Sequence, residues 1–504
     1  MQGSTPINRG MITISVMGAS VMQALDTTIA TIALPHMQGS LSGTQDQMVW
    51  VLTSYIVAAA VMTPLSGWLA VRIGRKRVFS YSVMGFTIAS ALCGAAESLP
   101  QMVLFRALQG ICGAALIPLS QAILLDINPK ERHGRAMGIW GMGVVLGPIV
   151  GPLLGGWLTE DYNWRWVFYV NVPFGILAWL GIAAYLPETT QRRSSFDAFG
   201  FASLALGIGA LQLMLDRGEL KDWFSSLEIR IEAFIAVIAL YCFVVHTWAA
   251  ERPFINRQLF HDRNFVIGNV FIFIFGVVLF ATMALLPPLL QGLLGYPVLM
   301  AGLVTAPRGL GTWVAMALVG RITSRFDARW IIAFGLVLCI VSLWQMAGIS
   351  PQTDQRPIVV AGVTQGFGLG LAWVALSLVS FTTIPATLRD EGAAMFNLVR
   401  NIGSSVGISS IQAYVTSGTQ SANAVLVQHI NPYGMQIHQP DLAAQLATPA
   451  GAAALGGTIW SQASWIAYLD AFRLMTLLTV LVLPLLFFVR RARASERDRQ
   501  VVVE

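Results

Sequence analysis

Charged residues are scarce in this chain of 504 residues: they make up 11% of it, whereas hydrophobic residues make up 55%. Soluble globular domains contain about 25% charged residues. The composition therefore excludes a soluble domain and predicts an integral membrane protein. The first apolar run begins near Met11 without the cleavage pattern of a signal peptide, so we predict that it is retained as a membrane span.

Cysteine is also scarce, and its distribution argues against a disulfide framework or a metal site. Each of the four cysteines stands alone in an apolar segment, with no CxxC pair, as expected of small apolar residues. The P-loop pattern GxxxxGK[ST] and the zinc motif HExxH are absent. We therefore expect neither an enzyme nor direct drive by ATP, and no cofactor or metal.

Long apolar segments dominate what is present. A membrane-spanning helix needs about 20 mostly apolar residues, and fourteen segments satisfy this rule: 11–34, 47–70, 78–96, 101–125, 136–158, 166–186, 198–215, 230–249, 266–290, 299–320, 330–349, 357–384, 393–416 and 467–489. The sequence predicts an all-α membrane protein with 14 transmembrane helices.

Basic residues orient these helices, because cytoplasmic loops carry an excess of Lys and Arg. With a cytoplasmic N-terminus, 22 of the 31 Lys and Arg residues fall inside and five fall outside. The C-terminus is then cytoplasmic too. The net charge of +6 is explained by orientation, and we expect no nucleic-acid partner. The segment 417–466 has no Lys or Arg, so it is expected outside, either as a connector or as an ordered hairpin that docks a partner.

An internal repeat divides the chain. Four matches share an offset of 256 residues: Gln109-Gly110 with Gln365-Gly366, Pro129 with Pro385, Gly147 with Gly403, and Gly151 with Gly407. We predict a six-helix bundle over 1–190, two inserted helices over 191–255, and a second six-helix bundle over 256–504. Duplicated halves around a midplane site are typical of alternating-access transporters.

Several motifs occur together in one order: LDTTIATIALP (25–35), GWLAVRIGRKR (67–77), FRALQG (105–110), GMGVVLGPIVGPLLGG (141–156) and WRWVFYVNVPFG (164–175). Together they resemble the major facilitator superfamily, specifically its fourteen-helix drug:proton antiporters. The stretch LQLMLDRGELKDWFSS (211–226) is similar to the EmrB-like branch. The resemblance runs the length of the chain and implies the major facilitator fold.

The resemblance also implies a function: proton-driven efflux of amphipathic drugs or toxic compounds across the bacterial inner membrane by alternating access. It further implies a periplasmic adaptor protein and an outer-membrane channel as partners. Two alternatives stay open. One is a dedicated exporter of a single metabolite or natural product, which would give resistance to one chemical class. The other is a transport-dead receptor or scaffold, which would show no substrate-dependent proton flux.

The fifth segment is unusual because it is rich in glycine and proline. Gly143, Gly147, Gly151 and Gly155 recur every four residues on one stripe, and such stripes let membrane helices approach closely. By resemblance, the stripe with Pro148, Pro152 and Gly156 forms the antiporter signature, packed against the other half where the halves rock. The alternative is a tight structural crossing.

Asp26 is the clearest acid well inside a predicted span. At a rise of 1.5 Å per residue, Asp26 lies about 12 Å below the outer membrane surface, and Arg106 lies about 8 Å below the same surface. Intramembrane charges usually pair or line a pathway. The sequence favours a proton-coupling role for both residues, as the resemblance also implies, over a static structural pair.

The loop 67–77 departs from the family pattern, because Val71 stands where the family has an acid. The remaining family positions imply an inner gating loop that latches the halves: Gly67, Arg72, Gly74, Arg75 and Lys76. Asp126 could pair with Arg72 or Arg75. The alternative is simple positive-inside anchoring.

Other polar residues inside spans are candidate substrate contacts. The set comprises Gln23, Asp26, Gln109, Arg308, Gln365 and Arg400. The two arginines could bind an anionic substrate or a helix-end carbonyl. His246 also lies inside a span, and we expect it to be structural.

Overall fold

In lipid, a chain must satisfy its backbone hydrogen bonds internally, and helices do so. The computed structural model describes residues 8–41, 43–129, 132–188, 195–323, 325–428 and 448–489, and these ranges contain no strand. The long helices are α1 (Arg9–Ser40), α2 (Trp50–Ile73), α3 (Arg75–Ala95), α4 (Leu99–Ile127), α5 (His133–Asp161), α6 (Trp166–Tyr185), α7 (Ala198–Arg217), α8 (Leu227–Ala249), α9 (Arg263–Leu293), α10 (Val298–Ile322), α11 (Ala328–Met346), α12 (Gln355–Thr382), α13 (Arg389–Gln428) and α14 (Pro449–Phe488).

The predicted fold class is confirmed, since each predicted span lies almost entirely within one of these helices. Within the described residues, thirteen helices are long and apolar enough to cross a membrane. The remaining long helix, α13, has 40 residues that include many Ser, Gly and Asn. It packs against α2, α9 and α14, so neighbouring helices cover many of its polar side chains.

The segment 417–466, predicted as a long external loop, is helical at both of its ends. Helix α13 continues to Gln428, and α14 begins at Pro449. Both extensions contain Ala and Gln, which favour helix, and hydropathy marks the membrane boundary rather than the helix boundary. The predicted choice between a connector and a docking hairpin concerns residues 429–447, which lie outside the described part of the chain. Residues 1–7, 189–194 and 490–504 also lie outside the described part of the chain.

Equivalent contacts recur in the two predicted halves. Gln109 Nε2 donates to Asp26 Oδ1 at 2.8 Å, and Gln365 Nε2 donates to Thr282 Oγ1 at 3.3 Å; both pairs are 83 residues apart. The related residues Gln121 and Ser377, 256 apart, hydrogen-bond to each other at 3.2 Å. These contacts support the division into halves over 1–190 and 256–504, which stays a prediction.

The halves meet along α5 with α10 and along α2 with α13. The inserted helix α7 packs against both halves, because it contacts α2 and α13. Gln212 on α7 donates to Ser405 on α13 at 2.8 Å. Asp216 on α7 accepts a hydrogen bond from Thr53 on α2. The inserted pair therefore touches the seam instead of standing apart from it.

The predicted partner of the glycine stripe is wrong. The stripe packs against α1 of the same half: a Cβ on Gly147 would lie 2.5 Å from the Ala24 carbonyl carbon, and one on Gly155 would lie 2.8 Å from Ile29 Cγ1. Thr28 Oγ1 also donates to Gly147 O at 3.1 Å. The other face of α5 meets α10, since Gly138 lies against Met316. A helix with 3.6 residues per turn has a face towards each neighbour, and glycines spaced four apart lie on only one of these faces. The spacing alone does not show which neighbour that face meets.

The rest of the signature divides by environment. Pro148 is half-buried, Pro152 is exposed, and a Cβ on Gly156 would meet nothing within 4 Å. Gly143 faces Met17 on α1, and Gly151 faces Thr28. The stripe therefore sets how closely α1, which carries Asp26, approaches the seam helix α5.

Replacing Gly147 by Ala should disrupt this crossing, because the added methyl meets backbone atoms that cannot rotate away. We expect Gly147→Ala to lower the apparent melting temperature in detergent by several degrees and to reduce transport. Gly156→Ala is the matched control and should leave both unchanged. Equal thermal stability of the two variants would contradict this account of the stripe.

Candidate functional site

Asp26 and Arg106 form an ion pair inside the first half. Arg106 Nη1 lies 2.7 Å from Asp26 Oδ2, and the side chains are 1% and 0% exposed, respectively. Gln109 Nε2 donates to Asp26 Oδ1 at 2.8 Å, and Asn171 Nδ2 donates to the same oxygen at 2.9 Å. The carboxylate therefore has three donors from α4 and α6, and the buried pair is close to neutral overall.

Neighbouring groups hold the guanidinium of Arg106 in place. Its Nε donates to Val51 O at 3.0 Å, and its Nη1 donates to Gln109 Oε1 at 2.7 Å. The guanidinium carbon lies 4.3 Å from the ring centroid of Tyr55. These contacts fix Arg106 against α2, so a change in the charge of Asp26 would act on the packing of α1, α2 and α4 together.

Asn171 is the part of this site that sequence reasoning missed. It lies in the motif WRWVFYVNVPFG, and it is 1% exposed. Its amide also donates to Ser90 Oγ on α3 at 3.1 Å. A lone asparagine in an apolar segment was the available signal, because a buried amide needs partners.

The other candidate residues lie apart from one another. Gln109 and Gln365 are 0% exposed, each inside its own half, and Gln23 is buried. Gln23 Oε1 has no hydrogen-bond partner in the described part of the chain. Arg308 Nη2 donates to Leu279 O at 3.1 Å, so it meets a main-chain carbonyl. In this conformation neither Asp26 nor Gln109 is accessible to a substrate.

Arg400 lies on α13 near the seam. Its guanidinium carbon is 5.2 Å from the ring centroid of Trp373, and its Nη2 donates to Asn401 Oδ1 at 3.2 Å. His246 Nε2 lies 2.9 Å from Asp197 Oδ1, and Asp197 caps α7. This placement agrees with a structural role for His246.

Four charges join the halves at one end of the bundle. Arg75 Nε donates to Asp390 Oδ2 at 2.8 Å. Arg75 also pairs with Asp126, and Asp126 pairs with Arg389. We call these four residues the inner latch. Each half supplies one cation and one anion, so the charges alternate across the seam.

The predicted gating loop contributes Arg75 to this latch. A Cβ on Gly67 would lie 3.0 Å from Glu391 Cα, so α2 and α13 are in close contact there. Gly74 has φ 92°, which favours glycine, and it forms the turn between α2 and α3. Arg72 lies over the ring of Trp68 at 5.3 Å, and Lys76 is half-buried.

Val71 cannot supply the acid that the family pattern has at this position, and the acids that pair with Arg75 are Asp126 and Asp390. The sequence predicted that Asp126 pairs with Arg72 or Arg75, and the structure pairs it with Arg75. Asp390 and Arg389, which come from the other half, were not predicted. The acid-rich first turn of α13 was a signal, but the sequence does not reveal which helix end faces it.

This architecture defines a membrane transporter rather than an enzyme: repeated helical bundles enclose buried charges. The profile of the Major Facilitator Superfamily matches residues 16–408. The solved structure of the proton:xylose symporter XylE has a TM-score of 0.62 at 15% sequence identity, and the match covers 96% of both chains.

Two relatives are similar over most of their length. Multidrug export protein EmrB of Escherichia coli strain K12 is 36% identical over 439 residues, which cover 86% of each chain. Fatty acid resistance protein FarB of Neisseria gonorrhoeae is 34% identical over 430 residues, which cover 85% of each. The chain therefore belongs to the major facilitator superfamily, among its EmrB-like multidrug export proteins.

The inner latch should hold the halves together at its end of the bundle. We expect Asp390→Asn to lengthen the distance between spin labels placed at Arg132 and Thr382, because Arg75 loses its anion from the other half. Double electron–electron resonance spectroscopy measures this distance distribution. Glu188→Gln, at the same end but paired with Arg77 of its own half, should leave the distribution unchanged. An unchanged distribution in Asp390→Asn would show that the latch does not hold this end closed.

Proposed function

We propose that this protein expels amphipathic drugs or toxic compounds across the bacterial inner membrane by drug:proton antiport. The ion pair of Asp26 and Arg106 carries this proposal. A carboxylate that is 0% exposed inside a membrane bundle is costly, so its presence suits a proton site better than a scaffold. The names of EmrB and FarB, a multidrug export protein and a fatty acid resistance protein, support export.

Proton exchange at Asp26 would change the packing of the first half. A proton on Asp26 removes its charge, weakens its contact with Arg106 and releases the guanidinium towards Val51 and Tyr55. Helix α1 then shifts along the glycine stripe of α5, which in turn contacts α10 of the second half. Loss of the proton restores the ion pair and reverses the shift.

The orientation of the protein in the membrane follows from the excess of basic residues at the latch end. We place this end, with both termini, in the cytoplasm. The inner latch then closes the cytoplasmic side while the pair of Asp26 and Arg106 is ionised. A proton taken up from outside opens the latch and leaves to the cytoplasm, where substrate then binds. The restored ion pair closes the latch, and the substrate leaves to the outside.

The partners of this pump would lie on the opposite side. We propose a periplasmic adaptor and an outer-membrane channel. The ends of α13 and α14 at Gln428 and Pro449 extend beyond the predicted spans, and they offer a surface for the adaptor. A dedicated exporter remains the second candidate, since the name of FarB specifies fatty acids alone.

Asp26→Asn should abolish export driven by an imposed pH gradient in proteoliposomes, because the amide cannot exchange a proton. Substrate exchange without a gradient should persist, which separates coupling from folding. Asp470→Asn is the matched control, since Asp470 also pairs with an arginine on a long helix but is exposed. Gradient-driven export at the wild-type rate in Asp26→Asn would refute the proposal.

A further inference from the structure

The two halves differ in buried charge. In the described residues of α9 to α13, the only acids between residues 264 and 382 are Asp327 and Asp354 at helix starts, and α13 has none after Glu391. The last helix of this half, α14, carries Asp470, which pairs with Arg473. Arg308 and Arg400 are therefore cations on helices whose membrane-spanning parts carry no carboxylate. Neither forms an ion pair with another described residue, whereas Arg106 in the first half is paired.

Arg400 is the more exceptional of these two arginines. It is 8% exposed, yet its Nε has no hydrogen-bond partner in the described part of the chain. Its single side-chain hydrogen bond here is to the neutral amide of Asn401. A buried guanidinium without an anion is strongly unfavourable unless a counter-charge reaches it during the working cycle.

The position of Arg400 suits a ligand that enters between the halves. One turn towards the latch end, Asn397 Nδ2 donates to Gln121 Oε1 at 3.1 Å, and Gln121 Nε2 donates to Ser377 Oγ at 3.2 Å. These bonds cross the seam and form a polar floor. Arg400 lies directly beyond this floor, so separation of the halves would expose it.

A cluster of aromatic rings lies on one side of the same guanidinium. Trp373 contacts Arg400, and its ring centroid lies 5.5 Å from that of Phe275 and 6.1 Å from that of Trp140. Trp140 belongs to the first half, and Trp373 to the second. The site thus combines one fixed positive charge with an apolar aromatic wall contributed by both halves.

We propose that Arg400 binds the anionic group of an amphipathic organic acid, whose apolar body packs against Trp373 and Phe275. The inference rests on the proposed export function and specifies the substrate class. A static structural role would leave the charge of Arg400 uncompensated. An organic anion supplies the missing charge, and its hydrogen-bond acceptors match the free Nε. The proton site and the substrate cation then belong to different halves.

A matched pair of probes tests the charge requirement. Pyrenebutyrate is anionic, whereas pyrenebutanol has nearly the same shape and is neutral. Energy transfer from tryptophan to pyrene measures binding to the purified wild-type protein without any need for proton coupling. We expect tighter binding of pyrenebutyrate, at least tenfold weaker binding in Arg400→Gln, and partial recovery in Arg400→Lys, which keeps the charge.

Binding of pyrenebutanol should stay the same in all variants, and Arg473→Gln is the control, because Arg473 is exposed and paired with Asp470. Equal binding of both probes to the wild type, or loss of both in Arg400→Gln, would overturn the inference. Gradient-driven export of the two probes tests the proposed function separately: wild-type protein that binds pyrenebutyrate but exports neither probe would refute antiport and leave the anion site standing.

Discussion

The buried ion pair of Asp26 and Arg106 is the interaction on which the rest of this structure depends. It joins α1 to α4, while Asn171 brings in α6 and Val51 brings in α2. One proton on this carboxylate would alter all of these contacts together, because the same group accepts from three donors. The glycine stripe places this site beside α5, the helix that meets the second half. The charged site is therefore packed against the helix that forms the seam, so a local change in its charge can act on the contact between the halves.

The repeat shows how one architecture acquired two different roles. Gln109 bonds to Asp26 in the first half, and the equivalent Gln365 bonds to Thr282 in the second. The second copy lacks the acid and, with Gly362 at the position matching Arg106, lacks its arginine as well. It carries Arg308 and Arg400 instead, and neither forms an ion pair with another described residue. In our account, the ionised pair of the first half couples transport to protons, and an unpaired cation of the second half recognises the substrate.

The helices could be predicted well from the sequence. The thickness of the lipid bilayer sets the length of each apolar segment, and basic residues in the flanking loops set its orientation. Sequence reasoning also brought Asp26 and Arg106 to a similar depth from helix rise alone. It failed where the outcome depends on which faces meet. The glycine stripe faces α1 because the spacing defines a face but not its neighbour. Asp390 in the latch and Asn171 beside Asp26 come from distant helices. The extensions to Gln428 and from Pro449 are helix of low hydropathy, which a search for apolar segments does not detect.

The central claim is that the carboxyl group of Asp26 gains and loses a proton while Arg106 stays nearby. Infrared difference spectroscopy of the purified transporter, recorded as the pH is lowered, observes the carbonyl stretch of a protonated acid directly. The account predicts a carboxylic acid band that appears in wild-type protein and is missing in Asp26→Asn. The same band with unchanged intensity in that variant would mean that another group carries the proton, and the mechanism would be wrong.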